Sequence, residues 1–523
     1  MKDKDNDSVI ITVKGYKEVR LIRGQCLFDA LISEDIPISS VCSKGRKCGK
    51  CKVRILKGDK SVSKTDFDLL SKEELDNDIR LACALYPLED TEIEIVNEDE
   101  EILACDEIEF SEEDFTDAPV HDDKEGCGIA IDIGSTTIAG CIVDLSQEQL
   151  IASNTRVNSQ RKYGADVVSR IAASNAGKGA LLQEAVRSDI MEMIFYLISK
   201  AKVIKSQVKK IVISANTTMT HLLLGFSCEG LGLYPFNPVN ISLMSYEARY
   251  VIPKAGLRCQ VYFIPGVSAY VGADIVSGLY FCDYDKKEAI NLFVDMGTNG
   301  EIAIGNKDRI LATSVAAGPA FEGGNLSCGM ASVAGAISHA SINEDGEIFL
   351  RTIANKLPKG ICGTGAVEIT AELLEANRVD KSGKFVDPGD DPIILEKDIL
   401  GNPIAFTQND IRQIQMAKGA LRAGIEILIK RYGIKAEDID NLYLAGGFGY
   451  EMNVDKAIRI GMFEAGYKDK VVPLSNSSLF GAVKFLLARA AAEDVCKIVD
   501  VTEDIPLAAD DDFNEKFISY IDF

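Results

Sequence analysis

The sequence predicts a multidomain protein of mixed α/β and α+β class, with a small mixed-sheet domain over residues 1–97, an acidic linker over 98–125 and a larger two-lobed α/β domain over 126–523. Three observations predict it. Short strand-like and helix-like runs surround an early loop rich in glycine and cysteine, residues 98–125 carry 14 acidic side chains and one lysine, and beyond Gly126 apolar strands repeatedly run into glycine-rich turns. The length agrees, because 523 residues exceed what one hydrophobic core usually serves.

In the first domain, residues 9–13 and 18–23 read as strands turning at Lys14-Gly15, and Gln25–Ser33 reads as a short helix with Leu27, Ala30 and Leu31 inward. A loop over Val41–Cys51 leads to a strand at Lys52–Leu56, a helix near Asp66–Leu75, and strands at Leu81–Leu85 and Glu92–Val96, an order that suits a β-grasp domain. The acidic stretch holds neither a helical nor a strand period, as expected of a solvated linker. In the larger domain the segments GIAIDIG, IVISAN, LFVDMG and LYLAGG each end in a glycine-bearing turn, and two related lobes follow, roughly 126–290 and 291–500. The longest helix is expected over Asn409–Tyr432, capped at Thr407 or Asn409 and closed by Gly433.

Composition narrows the function. No window reaches the roughly 18–20 apolar residues of a membrane span, and the first ten residues are too polar for a signal peptide, so a cytoplasmic protein without a membrane partner is expected. A net charge of -23 without a basic patch argues against nucleic acid. Fourteen cysteines without an export signal read as metal ligands where they cluster and as small buried hydrophobes elsewhere.

One cluster stands out. Cys42, Cys48 and Cys51 form C-x5-C-x2-C in a loop with Ser43, Gly45 and Gly49, and Cys83 follows inside LACAL. Four thiolates are what a [2Fe-2S] cluster requires, and the small loop residues let backbone N–H groups turn toward its sulfides. A structural zinc site is the competing reading, but it usually pairs two C-x2-C units. Residues 8–97 resemble plant- and adrenodoxin-type ferredoxins, with the five-residue first gap closer to the latter.

A second constellation lies in the larger domain. The strand Gly128–Ile131 runs into Asp132, Gly134, Ser135, Thr136 and Thr137, and the strand Leu292–Val294 runs into Asp295, Gly297, Thr298, Asn299 and Gly300. Glycines at such turns let the backbone approach phosphate, the hydroxyls donate hydrogen bonds, and each carboxylate can hold Mg2+ through water. A third apolar strand ends at Gly446, Gly447 and Gly449, Gly363, Thr364 and Gly365 open a helix as a candidate anion site, and Ser477–Ala482 opens the last of these pieces. No P-loop and no Rossmann fingerprint is present.

In this order the pieces resemble the phosphate-1, phosphate-2, adenosine and connect-2 motifs of the actin/Hsp70/sugar-kinase ATPases, of ribonuclease H-like fold, with Ile213–Gly225 as connect-1. The resemblance implies ATP and Mg2+ as cofactors, Asp132 and Asp295 positioning the metal and the attacking water, and Asp274 as a base or else a helix cap. The whole architecture resembles the ATP-dependent reductive activators of corrinoid proteins, carried by the four cysteines, the acidic linker, DIGSTT, DMGTNG, Ala316–Gly324 and LAGGFG. The implied reaction is one-electron reduction of a corrinoid from Co(II) to Co(I) with ATP hydrolysis. The implied partners are the corrinoid protein and a low-potential electron-donor protein. A homodimer is also expected, although the linker here runs almost directly into the first phosphate strand, leaving no room for the domain through which a larger family member dimerises.

Two other readings stand beside it: a redox-sensing, chaperone-like ATPase, and an activator of a radical dehydratase. The Ala316–Gly324 loop, with Glu322 at its tip, is expected to face either the corrinoid or the nucleotide cleft. Lys418 and Arg422 share a helix face that reads as solvated rather than nucleotide-binding, and His121, His221 and His339 read as structural or surface residues.

Overall fold

Alternation of apolar and polar residues makes the start of the chain a hairpin with one buried face. The computed structural model describes residues 8–14, 18–34, 36, 38, 51–96, 126–297, 299–387, 389, 391–398, 401–446, 452–507 and 510–523. They form two units, one mainly from residues 8–96 and the other mainly from 126–523. The expected linker over 98–125, with His121, and the loop carrying Cys42 and Cys48 lie outside the described residues.

In the first unit, Val9, Ile11 and Val13 of β1 (Ser8–Val13) and Val19 and Leu21 of β2 (Glu18–Ile22) bury against Leu27, Ala30 and Leu31 of the helix Leu27–Ser33. With β3 (Lys52–Lys57), β4 (Ile79–Leu81) and β5 (Thr91–Ile95) they give a sheet of order β2-β1-β5-β3-β4, in which β1 and β5 are parallel. This is the mixed sheet and helix of the expected β-grasp. Two expectations need correction. The helix near 66–75 is two helices, Lys64–Leu69 and Lys72–Asp76, because Ser63 with Asp66 and Ser71 with Glu74 each close a reciprocal cap that starts a new helix. The strand expected over Leu81–Leu85 stops at Leu81, and Ala82–Ala84 turn as a short 3-10 helix. Leu81 N–H is taken by Asp66 Oδ1 at 2.8 Å and Ala82 N–H by Cys51 O at 2.8 Å, which bends the chain so that Cys83 returns toward Cys51.

The second unit uses one topology twice. β6 (Cys127–Ile133), β7 (Thr137–Asp144), β8 (Gln149–Val157), β9 (Val208–Ala215), β10 (Met244–Glu247) and β11 (Gln260–Phe263) have the order β10-β11-β9-β6-β7-β8. After β12 (Asn291–Met296), β13 (Gly300–Asn306) and β14 (Arg309–Val315), a three-stranded sheet of β15 (Ala336–Ile342), β16 (Ile348–Thr352) and β17 (Gly360–Ile361) and a pair, β18 (Ile393–Lys397) and β19 (Pro403–Phe406), intervene. With β20 (Asn441–Ala445), β21 (Val471–Pro473) and β22 (Thr502–Asp504) the second large sheet is β21-β20-β12-β13-β14-β22. In each large sheet an antiparallel meander is followed by a strand that lies parallel on the far side of the first one, the ribonuclease H-like pattern. The central strands β6 and β12 are buried except at Asp132 and Asp295, near their C-terminal ends.

The helices after β11 and β21, Ala273–Phe281 and Ser477–Leu487, hold equivalent places in the repeat and pack on each other. Ser277 Oγ donates to Ser478 O at 2.8 Å, and a Cβ on Gly481 would lie 2.0 Å from Ser277 O, so only glycine allows the approach. Leu479, Val483 and Leu486 share a core with Ala130 and Val212 of the first sheet and Phe293 of the second. The long helix Gln408–Tyr432, with Thr407 rather than Asn409 as its cap and Gly433 left-handed at its end, buries Leu421 and Ile425 against the core of the second sheet. Among the described residues no helix is long and apolar enough to cross a membrane. Replacing Gly481 with Ala is expected to destabilise the second unit by about 1–3 kcal/mol through overpacking, read as a lower melting temperature in calorimetry.

Candidate functional site

Both repeats end their central strand in a tight hairpin. Gly134 N–H donates to Thr137 O at 2.9 Å, and Gly297 N–H donates to Asn299 O at 3.0 Å. The hairpins line a cleft of about 2080 Å3, with Asp132, Gly134, Ser135, Thr136 and Thr137 from one lobe and Asp295, Gly297 and Asn299 from the other. Thr298, Gly447 and Gly449 lie outside the described residues. Gly446 also lines the cleft with φ of +87°, and a Cβ there would come within 2.8 Å of Asp295 Oδ1. The third expected strand therefore runs directly past the second carboxylate.

Asp132 is held from a distant part of the chain. Ser478 Oγ donates to its Oδ1 at 2.7 Å and Asn476 Nδ2 to its Oδ2 at 2.9 Å, while Asn476 Oδ1 caps the same helix by accepting Leu479 N–H at 2.8 Å. Asp274 stands in the first turn of the helix Ala273–Phe281, where its Oδ1 accepts Ile275 N–H at 3.0 Å. It thus has the local helix-end contact and faces the cleft as well. A fourth carboxylate, Glu301, begins β13 beside the second hairpin and accepts from Ser314 Oγ at 3.1 Å.

These four groups share one electrostatic field. Burial, then the charges of Asp295 and Asp132, push Asp274 up to about 7. Burial, then Asp132 and Glu322, push Asp295 up to about 7. Glu301 is pushed well up by burial and by Asp274 and Asp295, and Asp132 is raised by burial against the hydrogen bonds of Ser478 and Asn476. Burial and neighbouring negative charge both disfavour the ionised carboxylate and favour a proton or a cation beside it. Among the described lining residues eleven are Asp or Glu and one, Arg431, is basic, with Asp510 as its partner. The hard carboxylate oxygens of such a lining fit a divalent cation such as Mg2+.

Other expected site residues fall elsewhere. Gly363, Thr364 and Gly365 are buried and do not line the cleft: Cβ atoms on the two glycines would meet Phe321 O at 1.9 Å and Ile337 O at 2.1 Å, so their smallness serves packing rather than an anion. Gly300 is buried as well, facing Leu421 and Val315. The helix face of Lys418 and Arg422 is not solvated: Lys418, 1% exposed, donates to Asp522 O at 2.5 Å, and Arg422 pairs with Glu426 at 2.9 Å and Glu464 at 2.5 Å. His221 is structural, with Nδ1 2.8 Å from Thr217 O and Nε2 accepting Val239 N–H at 2.9 Å, and His339 lies 3.0 Å from Glu368. Ala316, Gly318, Pro319 and Glu322 line the same cleft as Asp132 and Asp295. Sequence reasoning missed Glu301, whose signal was a lone charge at the start of an otherwise apolar strand.

In the first unit Cys51 and Cys83 come together. A hydrogen bond from Cys83 and nearby backbone N–H groups bring the Cys51 thiol down to about 7 against the effect of burial, so thiolate is favoured there, as iron ligation needs. Cys26 is not part of this pair, its Sγ lying 3.7 Å from Ala82 O and 3.6 Å from Cys83 O.

Family models match residues 11–88 as a 2Fe-2S iron-sulfur cluster binding domain, residues 127–287 as the RACo middle region, and residues 289–523 as the C-terminal domain of RACo, the ASKHA domain. The fold and site define an iron–sulfur domain joined to an ASKHA-type domain, and the protein is an iron–sulfur enzyme. The chain belongs to the family of corrinoid activation enzymes. It is 33% identical to the corrinoid activation enzyme RamQ of Eubacterium limosum, across 75% of this chain and 69% of that protein. It is 25% identical to the [Co(II) methylated amine-specific corrinoid protein] reductase of Methanosarcina barkeri, across 76% and 77%. The solved structure of a reductive activator for corrinoid, iron-sulfur protein superposes with a TM-score of 0.70 at 29% identity over 98% of both chains.

The raised carboxyls have a stability consequence. Asp274 and Asp295 bind protons in the folded state up to about pH 7 but in the unfolded chain only up to the ordinary 3.8, so they oppose folding increasingly as pH rises between those values. At about pH 8 without metal, Asp274→Asn is expected to stabilise the second unit by roughly 1–3 kcal/mol, with the gain vanishing near pH 4, as read from urea melts.

Proposed function

We propose that this protein reductively activates a corrinoid protein, returning its cobalt from Co(II) to Co(I) by one electron while Mg2+-ATP is hydrolysed between the lobes. The observation that carries the reading is the pair of equivalent strand-end hairpins facing one carboxylate-lined cleft. Asp132 and Asp295 would hold Mg2+, the N–H groups and hydroxyls of Ser135 and Thr136 with the hydroxyls of Thr137 and Thr298 would hold phosphate, and Gly446, Gly447 and Gly449 would let the nucleoside lie flat against backbone. Asp274, with a carboxyl near neutrality, is suited to take the proton of the attacking water. Hydrolysis then rests on positioning and charge rather than on a covalent enzyme intermediate.

Cys42, Cys48, Cys51 and Cys83 hold a [2Fe-2S] cluster in the domain 1–97. When bound, the cluster supplies a one-electron carrier whose potential the surrounding N–H groups tune. Each 100 mV of uphill transfer costs about 2.3 kcal/mol per electron, which is the reason for an ATPase on the same chain. The electron comes from a separate low-potential protein, and the reaction takes place in the cytoplasm.

The test is the anaerobic absorbance of a Co(II) corrinoid protein mixed with this protein and a low-potential reductant, with or without Mg2+-ATP. Growth of the Co(I) band is expected only with nucleotide. Cys51→Ser should abolish that growth and bleach the cluster absorbance while leaving ATPase activity, whereas Asp295→Ala should keep the absorbance and lose ATP dependence. Absence of any ATP-dependent change across several corrinoid partners, with the cluster intact, would overturn the reading.

A further inference from the structure

A cleft lined by eleven carboxylates and one arginine leaves open how the protein itself attracts a polyphosphate. The answer lies behind the first hairpin, in a side chain that does not line the cleft. Arg170, in the helix Val167–Ala173, is 0% exposed; its Nη2 donates to Ser135 O at 2.5 Å, and its Nη1 lies 3.3 Å from Met219 Sδ. Asn158, also 0% exposed, donates from Nδ2 to Gly134 O at 2.8 Å and from its backbone N–H to Thr136 O at 2.9 Å.

Three consecutive hairpin carbonyls are thus drawn into the body of the first lobe. In a trans peptide the C=O and the following N–H point in opposite directions. Fixing the carbonyls of Gly134 and Ser135 inward therefore turns the N–H groups of Ser135 and Thr136 outward, and among the described residues these two amides have no acceptor. Ser135 and Thr136 line the cleft, so the outward side is the cleft side. Successive backbone N–H groups aimed at one point form an anion-binding concavity, and a guanidinium buried behind it adds positive charge where low polarisability lets the charge reach further.

We propose that Arg170 and Asn158 are positioning residues for phosphate: they hold the first hairpin as a preformed anion turn, and Arg170 supplies buried positive charge that the cleft wall lacks. The inference rests on the nucleotide reading above and adds that recognition is of the phosphate chain, set by two residues that never touch it. Gln at position 170 keeps a donor of similar reach but removes the charge, Lys keeps the charge but loses the planar fork, and Leu at position 158 keeps volume without a donor.

The test uses the full-length holoprotein and titrates Mg2+-ATP and adenosine calorimetrically, with amide hydrogen exchange on the peptide carrying residues 134–137. Wild type should show exchange protection of that peptide on adding Mg2+-ATP. Arg170→Gln is expected to weaken Mg2+-ATP binding by about tenfold or more while adenosine binding changes by less than about twofold, to lose the protection, and to be partly restored by Arg170→Lys. Asn158→Leu should move in the same direction, and it decides the matter by the same criteria if Arg170→Gln does not fold. Equal losses for Mg2+-ATP and adenosine, or no loss for either, would show these residues to be ordinary framework and overturn the proposal. If wild type itself binds no Mg2+-ATP, the nucleotide reading fails first and this one with it.

Discussion

Crowding of like charge at the floor of the interlobe cleft is the constraint around which the larger unit is arranged. Asp132 and Asp274 come from one lobe, and Asp295 and Glu301 from the other; burial raises all four, and neighbouring carboxylates raise Asp274, Asp295 and Glu301 further. No packed core would assemble such a set for its own sake, because each carboxylate loses hydration and gains a repulsive neighbour. The fold bears the strain through hydrogen bonds: Ser478 and Asn476 on Asp132, Ser314 on Glu301, and the Ile275 amide on Asp274.

That floor depends in turn on how closely the two lobes approach. The crossing of Ala273–Phe281 with Ser477–Leu487 relies on Gly481 fitting against Ser277 O, and the same two helices carry Asp274 and the residues that hold Asp132. The helix pair that packs around Gly481 is thus also the pair that places Asp274 and orients Asp132. The first unit follows a parallel logic on a smaller scale, where Asp66 takes the Leu81 amide and so bends the chain to bring Cys83 to Cys51.

Much of this was legible in the sequence where the signal is local. The β-grasp strands, the cap at Thr407 and the strand-end positions of Asp132 and Asp295 follow from alternation, capping chemistry and glycine placement within a few residues. The errors were equally physical. Two adjacent serine caps broke one expected helix into two, and Gly363 and Gly365 looked like an anion turn because a glycine needed for close packing is indistinguishable, by type, from one needed for a ligand. Lys418 and Arg422 were read as solvated because nothing nearby in sequence reveals that Asp522, Phe523 and Glu464 cover them.

By itself, then, the sequence determined the two-part order, the spacing of the early cysteines and the doubled strand-to-hairpin motif, since each depends on chemistry repeated over short spans of chain. Only the tertiary structure decided which groups act as a set. Asp132 meets Asn476 and Ser478 across 344 and 346 residues, Glu301 feels Asp274 of the other lobe as well as its near neighbour Asp295, and Arg170 reaches the carbonyl of Ser135 from a helix 35 residues on. The reason is that burial and charge act through space: a carboxylate's protonation and a peptide's direction are set by whichever groups the fold brings within a few ångströms, not by their neighbours along the chain.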